Sequence, residues 1–233
     1  MAPVFDLSFA WEILPQLASA LIVTIQITIL GMSVALVLGL LFVLARRSQR
    51  RWLANCFAAF VEFIRRTPLL VQIYFLFYVL PISGLYIPGL AIGIIALGLH
   101  YGAYCSEVYR AGLESIPRGQ WDAATALNLG RYHTMRRIII PQAIPPIVPA
   151  LGNYLVAMFK DTPLLSAITV VELLQTAKTI GADTFRYTEP LTLVGLLFLV
   201  VSLLSAAFLR LLERHLRERG KSDGTNHTPA KHL

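Results

Sequence analysis

The side chains able to bind or react fall at helical spacing inside long apolar runs. Glu62 is followed by Arg65 and Arg66, Glu107 by Arg110, and Lys160 stands beside Asp161. An ionised group at membrane depth is costly unless it is paired or hydrated, so its default reading is functional. Spacings of three and four put Glu62 on the same helix face as Arg65 and Arg66, and Glu107 on the same face as Arg110. Gln72 follows Pro68 by one turn, where a proline kink releases carbonyls that can line a path. Tyr74, Tyr78, Tyr101 and Tyr104 add aromatic rings, which are also common at bilayer interfaces. The chemistry on offer is the holding of a polar solute along a path through Glu62, Arg65, Gln72, Tyr101, Tyr104, Glu107, Lys160 and Asp161. Plainer readings stand beside it. Residues 52–66 also suit an interfacial helix with snorkelling arginines. Glu107–Arg110 also suits an inner gate or surface pair, and Lys160–Asp161 an interfacial anchor.

Covalent and metal chemistry find no such support. There is no nucleophile–base pair at membrane depth, and His100 and His133 lack metal-ligand spacing. Cys56 and Cys105 read as small buried hydrophobes. Gly220-Lys221-Ser222 has His215 where a phosphate loop needs its first glycine. The chain is therefore expected to be no enzyme and to bind no metal or nucleotide of its own.

A second constellation lies in a basic loop, residues 114–137. Gln120, Trp121, Asp122, Ala123, Ala124, Ala126 and Leu127 precede Gly130, and Ile138-Ile139-Ile140-Pro141 follow. The pattern predicts a helix over 120–129, with Asp122 in its first turn and Gly130 as a left-handed stop. Its alanines give a low-profile face that fits a groove on another protein, with Trp121 and Leu129 as anchors. Pro141 fits a helix start.

These residues need membrane spans to position them. The chain has 233 residues, 56% hydrophobic and only 14% charged, too few charges to solvate a globular surface. Apolar runs predict five spans near 13–45, 52–80, 89–106, 138–159 and 190–209, with an extracytoplasmic segment 1–12 before them. The run 162–171 is too short to cross and is expected to dip into the outer leaflet or cap the bundle. Residues 13–214 then form one transmembrane domain, and the polar tail 215–233 is expected to be disordered. The net charge of +7 is explained by anionic lipid and topology rather than by nucleic acid. Fifteen Lys and Arg fall on the side of the 114–137 loop and three on the other. That bias places the amino terminus outside and the carboxyl terminus in the cytoplasm.

The loop resembles the EAA loop of permease subunits in bacterial ABC importers, with Asp122 where glutamate is usual. Glu62-Phe63-Ile64-Arg65-Arg66-Thr67-Pro68-Leu69-Leu70-Val71-Gln72 and Gly102-Ala103-Tyr104-Cys105-Ser106-Glu107-Val108-Tyr109-Arg110 resemble elements of its polar amino acid subfamily. So does Lys160-Asp161-Thr162, although Pro163 replaces the usual serine. Residues 74–81, 99–101 and 185–190 look most like the ectoine/hydroxyectoine permease. The resemblance implies an all-α type I importer fold in a bacterial cell membrane. It implies a second permease subunit, ATPase subunits that carry ATP and Mg and dock on the coupling loop, and an extracytoplasmic solute-binding protein. The alternatives are a stand-alone secondary transporter or channel, and a membrane enzyme. The absence of an internal repeat and the docking loop argue against the first, and the missing catalytic cluster against the second.

Overall fold

The computed structural model describes residues 5–222, with side chains to Glu213 and Arg214 at the far end. Nine α-helices are found among the described residues: α1 Leu7–Arg46, α2 Arg51–Arg66, α3 Leu69–Tyr74, α4 Gly89–Glu114, α5 Arg118–Ala126, α6 Arg131–Thr134, α7 Ile140–Asp161, α8 Leu173–Thr184 and α9 Thr188–Ser222. The core lies where α1, α4 and α7 meet. Ile27, Ala35, Leu97, Tyr101, Cys105 and Met158 are all buried there.

α1 is set by its ends. Asp6 caps it, its carboxylate accepting from the Ser8 and Phe9 backbone N–H groups. At 40 residues it is about 60 Å long, roughly twice the hydrocarbon thickness. The expected span 13–45 therefore lies within a helix that begins six residues earlier.

The tightest seam joins α1 to α4. Gly31, Ala35 and Gly39 on α1 meet Gly98, Gly102 and Cys105 on α4, small residues at three- and four-residue steps that let two backbones approach. A Cβ on Gly39 would sit 2.7 Å from the Cys105 Cβ and 3.0 Å from the Gly102 carbonyl oxygen. The contacts rise together along both helices: Gly31 with Leu97, Gly39 with Cys105, Arg46 with Glu107. The two helices are therefore parallel. α7 runs antiparallel to α4, since Gly112 meets Ile147 while Tyr101 meets Asp161. α9 runs antiparallel to α7, with Gly152 against Leu209 and Phe159 against Phe198.

Parallel α1 and α4 require the chain between them to recross, and the second expected span bends sharply at the proline marked as its kink. Residues 52–80 are not one helix: α2 and the helical stretch Leu69–Ser83 meet at 107°. Thr67 and Pro68 are extended at the corner, in keeping with the bias of a proline against helix at the residue before it. α2 ends at this corner with Arg65 and Arg66 in its last turn. The recrossing arm Leu69–Ser83 is about 22 Å long at ~1.5 Å per residue, so residues 84–88 extend it. Among the described residues four helices are long and apolar enough to cross alone, and five if the bent pair counts as one span.

The run 162–171 packs onto the core, with Leu165, Ile168 and Val170 buried. Thr162–Ile168 form a 3-10 turn whose Leu165 fills the space left by Gly93. Glu172 then caps α8. Its carboxylate, fully buried, accepts from the Leu174 and Gln175 N–H groups, while Leu173 N–H donates to Thr24 Oγ1 of α1 at 3.1 Å. The helix α9 continues to Ser222, past the expected boundary at residue 214, and residues 223–233 lie outside the described residues.

Candidate functional site

Two groups of residues stand out, one on the face where α1 ends and one between the spans. On that face, α5 follows Pro117 and runs over Arg118–Ala126. The expected helix 120–129 is therefore shifted towards its start, and Asp122 falls in the second turn rather than the first. Asn128, not Gly130, takes the left-handed conformation that ends it (φ 53). Gly130 is extended (φ −62, ψ 147) and opens α6.

The faces of α5 also differ from expectation. Ala124 is 2% exposed, and Trp121 packs against Ile116, Ile139 and Ala143 of its own chain. The low-profile side thus seats the helix on its own scaffold. Asp122, Ala123, Ala126 and Leu127 face outward, Leu127 at 72% exposure. Gln120 is tied down, accepting from the Gln142 side chain at 3.3 Å. Behind the loop, Met135–Ile139 form a wide π-turn just before Pro141. A π-turn of this kind accommodates the N–H that Pro141 lacks, so the chain passes from loop into α7 without a break.

Between the spans, the arm, α4 and α7 bring polar groups together. Tyr101 on α4 donates to Asp161 Oδ2 at the end of α7 at 2.6 Å. The rings of Tyr101, Tyr104, Tyr154 and His100 form a contiguous cluster. Arg65 lies over the Tyr104 ring at 5.4 Å, and Tyr104 OH donates to the Arg65 carbonyl. Further along α4, Glu107 gathers Arg46, Arg110 and Arg65, the last at 3.8 Å. Glu62 pairs with Arg65 and Arg66 on the open side of α2.

Two expected path residues stand apart from the run of contacts that joins Asp161 to Arg65 through Tyr101 and Tyr104. Gln72 Nε2 is within bonding distance of the Ile64 and Thr67 carbonyls and of Thr67 Oγ1, and Gln72 Oε1 faces His100 Nδ1 at 3.1 Å. It staples the corner at Pro68. Lys160 is separated from its neighbour Asp161 by the 100° step of a helix. It lies in a groove between α7 and α9 with Asn153, Arg210 and Glu213. Cys56, expected to be buried, is exposed on α2, while Cys105 is buried as expected. No group of three His, Cys, Asp or Glu side chains suits a metal ion among the described residues. Sequence reasoning missed Tyr154, which closes the ring cluster, and the Arg46–Glu107 pair. Arg46 was read only as a topology signal, and neither residue carries a local pattern that reveals its partner.

Residues 28–218 match the family described as the binding-protein-dependent transport system inner membrane component. The chain belongs to that family. It is the permease subunit of an ABC importer, a transmembrane component rather than an enzyme. It is 46% identical to a probable amino-acid ABC transporter permease protein, y4tG, of Sinorhizobium fredii, over 92% of this chain and 93% of that one. It is 36% identical to the glutamine transport system permease protein GlnP of Escherichia coli, over 91% and 98%. Among solved structures, one titled as an amino acid ABC transporter with histidines superposes with a TM-score of 0.87 at 34% identity, covering 91% of this chain and 99% of that one. The permease is an all-helical type I importer subunit.

Proposed function

We propose that this permease passes a small zwitterion of the polar amino acid class across the bacterial cell membrane, with ectoine or hydroxyectoine as the specific solute. The run of contacts from Asp161 through Tyr101 and Tyr104 to Arg65 carries the reading. It offers a carboxylate at one end, a guanidinium at the other, and aromatic faces between them, which matches a molecule bearing both charges. Glu62 and Glu107 hold Arg65 in place. Relatives named for glutamine, L-cystine and octopine transport support the class.

The loop face is cytoplasmic in this reading, the amino terminus is outside, and the tail is inside. Two ATPase subunits, which carry ATP and Mg, dock on the outward side of α5 at Asp122, Ala123 and Leu127. Gln120, Trp121, Ala124, Gly130 and Pro141 set that helix on the permease and transmit its motion to α7. A second permease subunit completes the pore, and an extracytoplasmic solute-binding protein delivers the solute.

The test is reconstitution with the ATPase and the delivery protein in liposomes, comparing labelled ectoine and glutamine. ATP-dependent uptake of ectoine is expected. Uptake of glutamine alone removes the ectoine assignment, and uptake driven by a proton gradient without any ATPase removes the importer reading. Asp161→Asn is expected to raise the apparent KM roughly tenfold, the loss of one charge-assisted contact. An unchanged KM would remove Asp161 from the path.

A further inference from the structure

A cavity of about 530 Å³ opens between the end of α1 and the coupling loop, lined by Arg47, Trp121, Thr125, Leu129, Arg131, Thr134 and Met135. Its charge is of one sign. Neighbouring arginines are engaged: Arg46 and Arg110 with Glu107, and Arg136 with Tyr132. Arg47 and Arg131 have no acidic partner among the described residues, and the Trp121 indole N–H has no hydrogen-bond acceptor there. The Thr125 and Thr134 hydroxyls already donate to backbone carbonyls of their own helices. The cavity therefore presents free N–H donors with two positive charges and no carboxylate, beside the apolar Leu129 and Met135.

Its position selects the occupant. Arg47 directly follows the last residue of α1, so the cavity lies where the longest helix of the fold gives way to the loop side. On α5 it is reached from the Trp121–Thr125 side, which adjoins buried Ala124. The outward side of Asp122, Ala123, Ala126 and Leu127 is left free for a soluble partner. A tryptophan beside arginines at the end of a span is the composition of a membrane–water interface. We propose that this cavity binds the phosphate of an anionic phospholipid from the leaflet on the loop side, and that the headgroup braces α5 against the end of α1. The headgroup phosphate accepts from Arg47, Arg131 and the Trp121 indole, and the glycerol side lies along Leu129 and Met135. The proposal rests on the loop face being cytoplasmic, where anionic lipid gathers basic segments.

The test uses the complete importer in nanodiscs of phosphatidylcholine with increasing phosphatidylglycerol. The readouts are solute-stimulated ATPase rate and the phosphatidylglycerol retained on the purified complex. The wild-type rate is expected to rise with phosphatidylglycerol. In Arg47→Gln/Arg131→Gln the midpoint of that rise is expected to move to roughly thirtyfold higher lipid activity, two surface charges' worth. Retained phosphatidylglycerol is expected to fall with it, while the maximal rate stays. A wild-type rate indifferent to phosphatidylglycerol overturns the proposal, as does an unshifted midpoint in the variant. Loss of ATPase stimulation in the variant at every lipid composition also overturns it, because the arginines then belong to the ATPase contact. Millimolar inorganic phosphate added to neutral nanodiscs distinguishes the source: if it reproduces the stimulation, the ligand is free phosphate and not lipid. Labelling of a cysteine at position 131 from the outer side would instead sink the cytoplasmic placement, whatever the lipid response.

Discussion

At the scale of single residues, glycines with the same side chain do opposite things. Gly39 lies against backbone of α4, so Gly39→Ala must push two helices apart. It is expected to lose about 1–3 kcal/mol, the usual range for overpacking, read as a lowered midpoint of thermal unfolding in detergent. Gly130 has open space around it and an ordinary φ, so Gly130→Ala is expected to leave the midpoint unchanged. The sequence marked Gly130 because glycine commonly ends helices. It passed over Gly39 because the partner that makes it matter lies on another helix. Glu107 makes the same point. With 17% of its side chain exposed and several arginines around it, Glu107→Gln leaves guanidinium groups short of a counter-charge in a sheltered site. A loss of about 3 kcal/mol is expected, and a double variant with Arg110→Gln is expected to lose less than the sum of the two single losses.

At the scale of elements, the start of α8 gives a pH dependence. Burial raises the Glu172 carboxyl above its ordinary value of 4.5, and that outweighs the two backbone N–H groups bonded to it. The folded state thus holds the proton more tightly than the unfolded chain. The stability this contributes is complete below the ordinary glutamate value and is lost as pH rises through the raised value. Unfolding midpoints measured upward from about pH 4 are expected to fall across that window, and Glu172→Gln, which keeps an acceptor for the cap, is expected to flatten the fall. The coupling helix offers a second test. Bulk at Ala124 would disturb the permease itself, since that side chain is buried. Leu127→Asp changes only the outward face. It is expected to leave insertion and thermal midpoint intact while reducing ATP-driven uptake at least tenfold, the loss of a central anchor at an interface. Unimpaired uptake by Leu127→Asp would remove this face from the ATPase contact. The existence of α5 was legible from its small residues between Pro117 and Gly130. Its inward and outward sides were not, because alanine fits a foreign groove and a local one equally well.

At the scale of the whole molecule, most spans could be read directly from apolar length. The second was legible only as a kinked one. Pro68 announced a kink, but the size of the turn is set by Gln72 bridging Ile64, Thr67 and His100, a tertiary arrangement. The parallel pairing of α1 and α4 fixes the parity of the crossings. Cysteines at Ile82 and at Arg118, in a Cys56→Ser background, are expected to react with impermeant maleimide from opposite sides of the membrane. Labelling of both from one side would break the five-crossing topology.

That pairing also dictates an order of events during synthesis. The first crossing meets its closest neighbour only after the third has emerged from the ribosome, since Arg46 and Glu107 are 61 residues apart. Until then the glycine-lined flank of the nascent first helix has no mate. The translocon, or a chaperone beside it, must shelter that flank while the second crossing is threaded back.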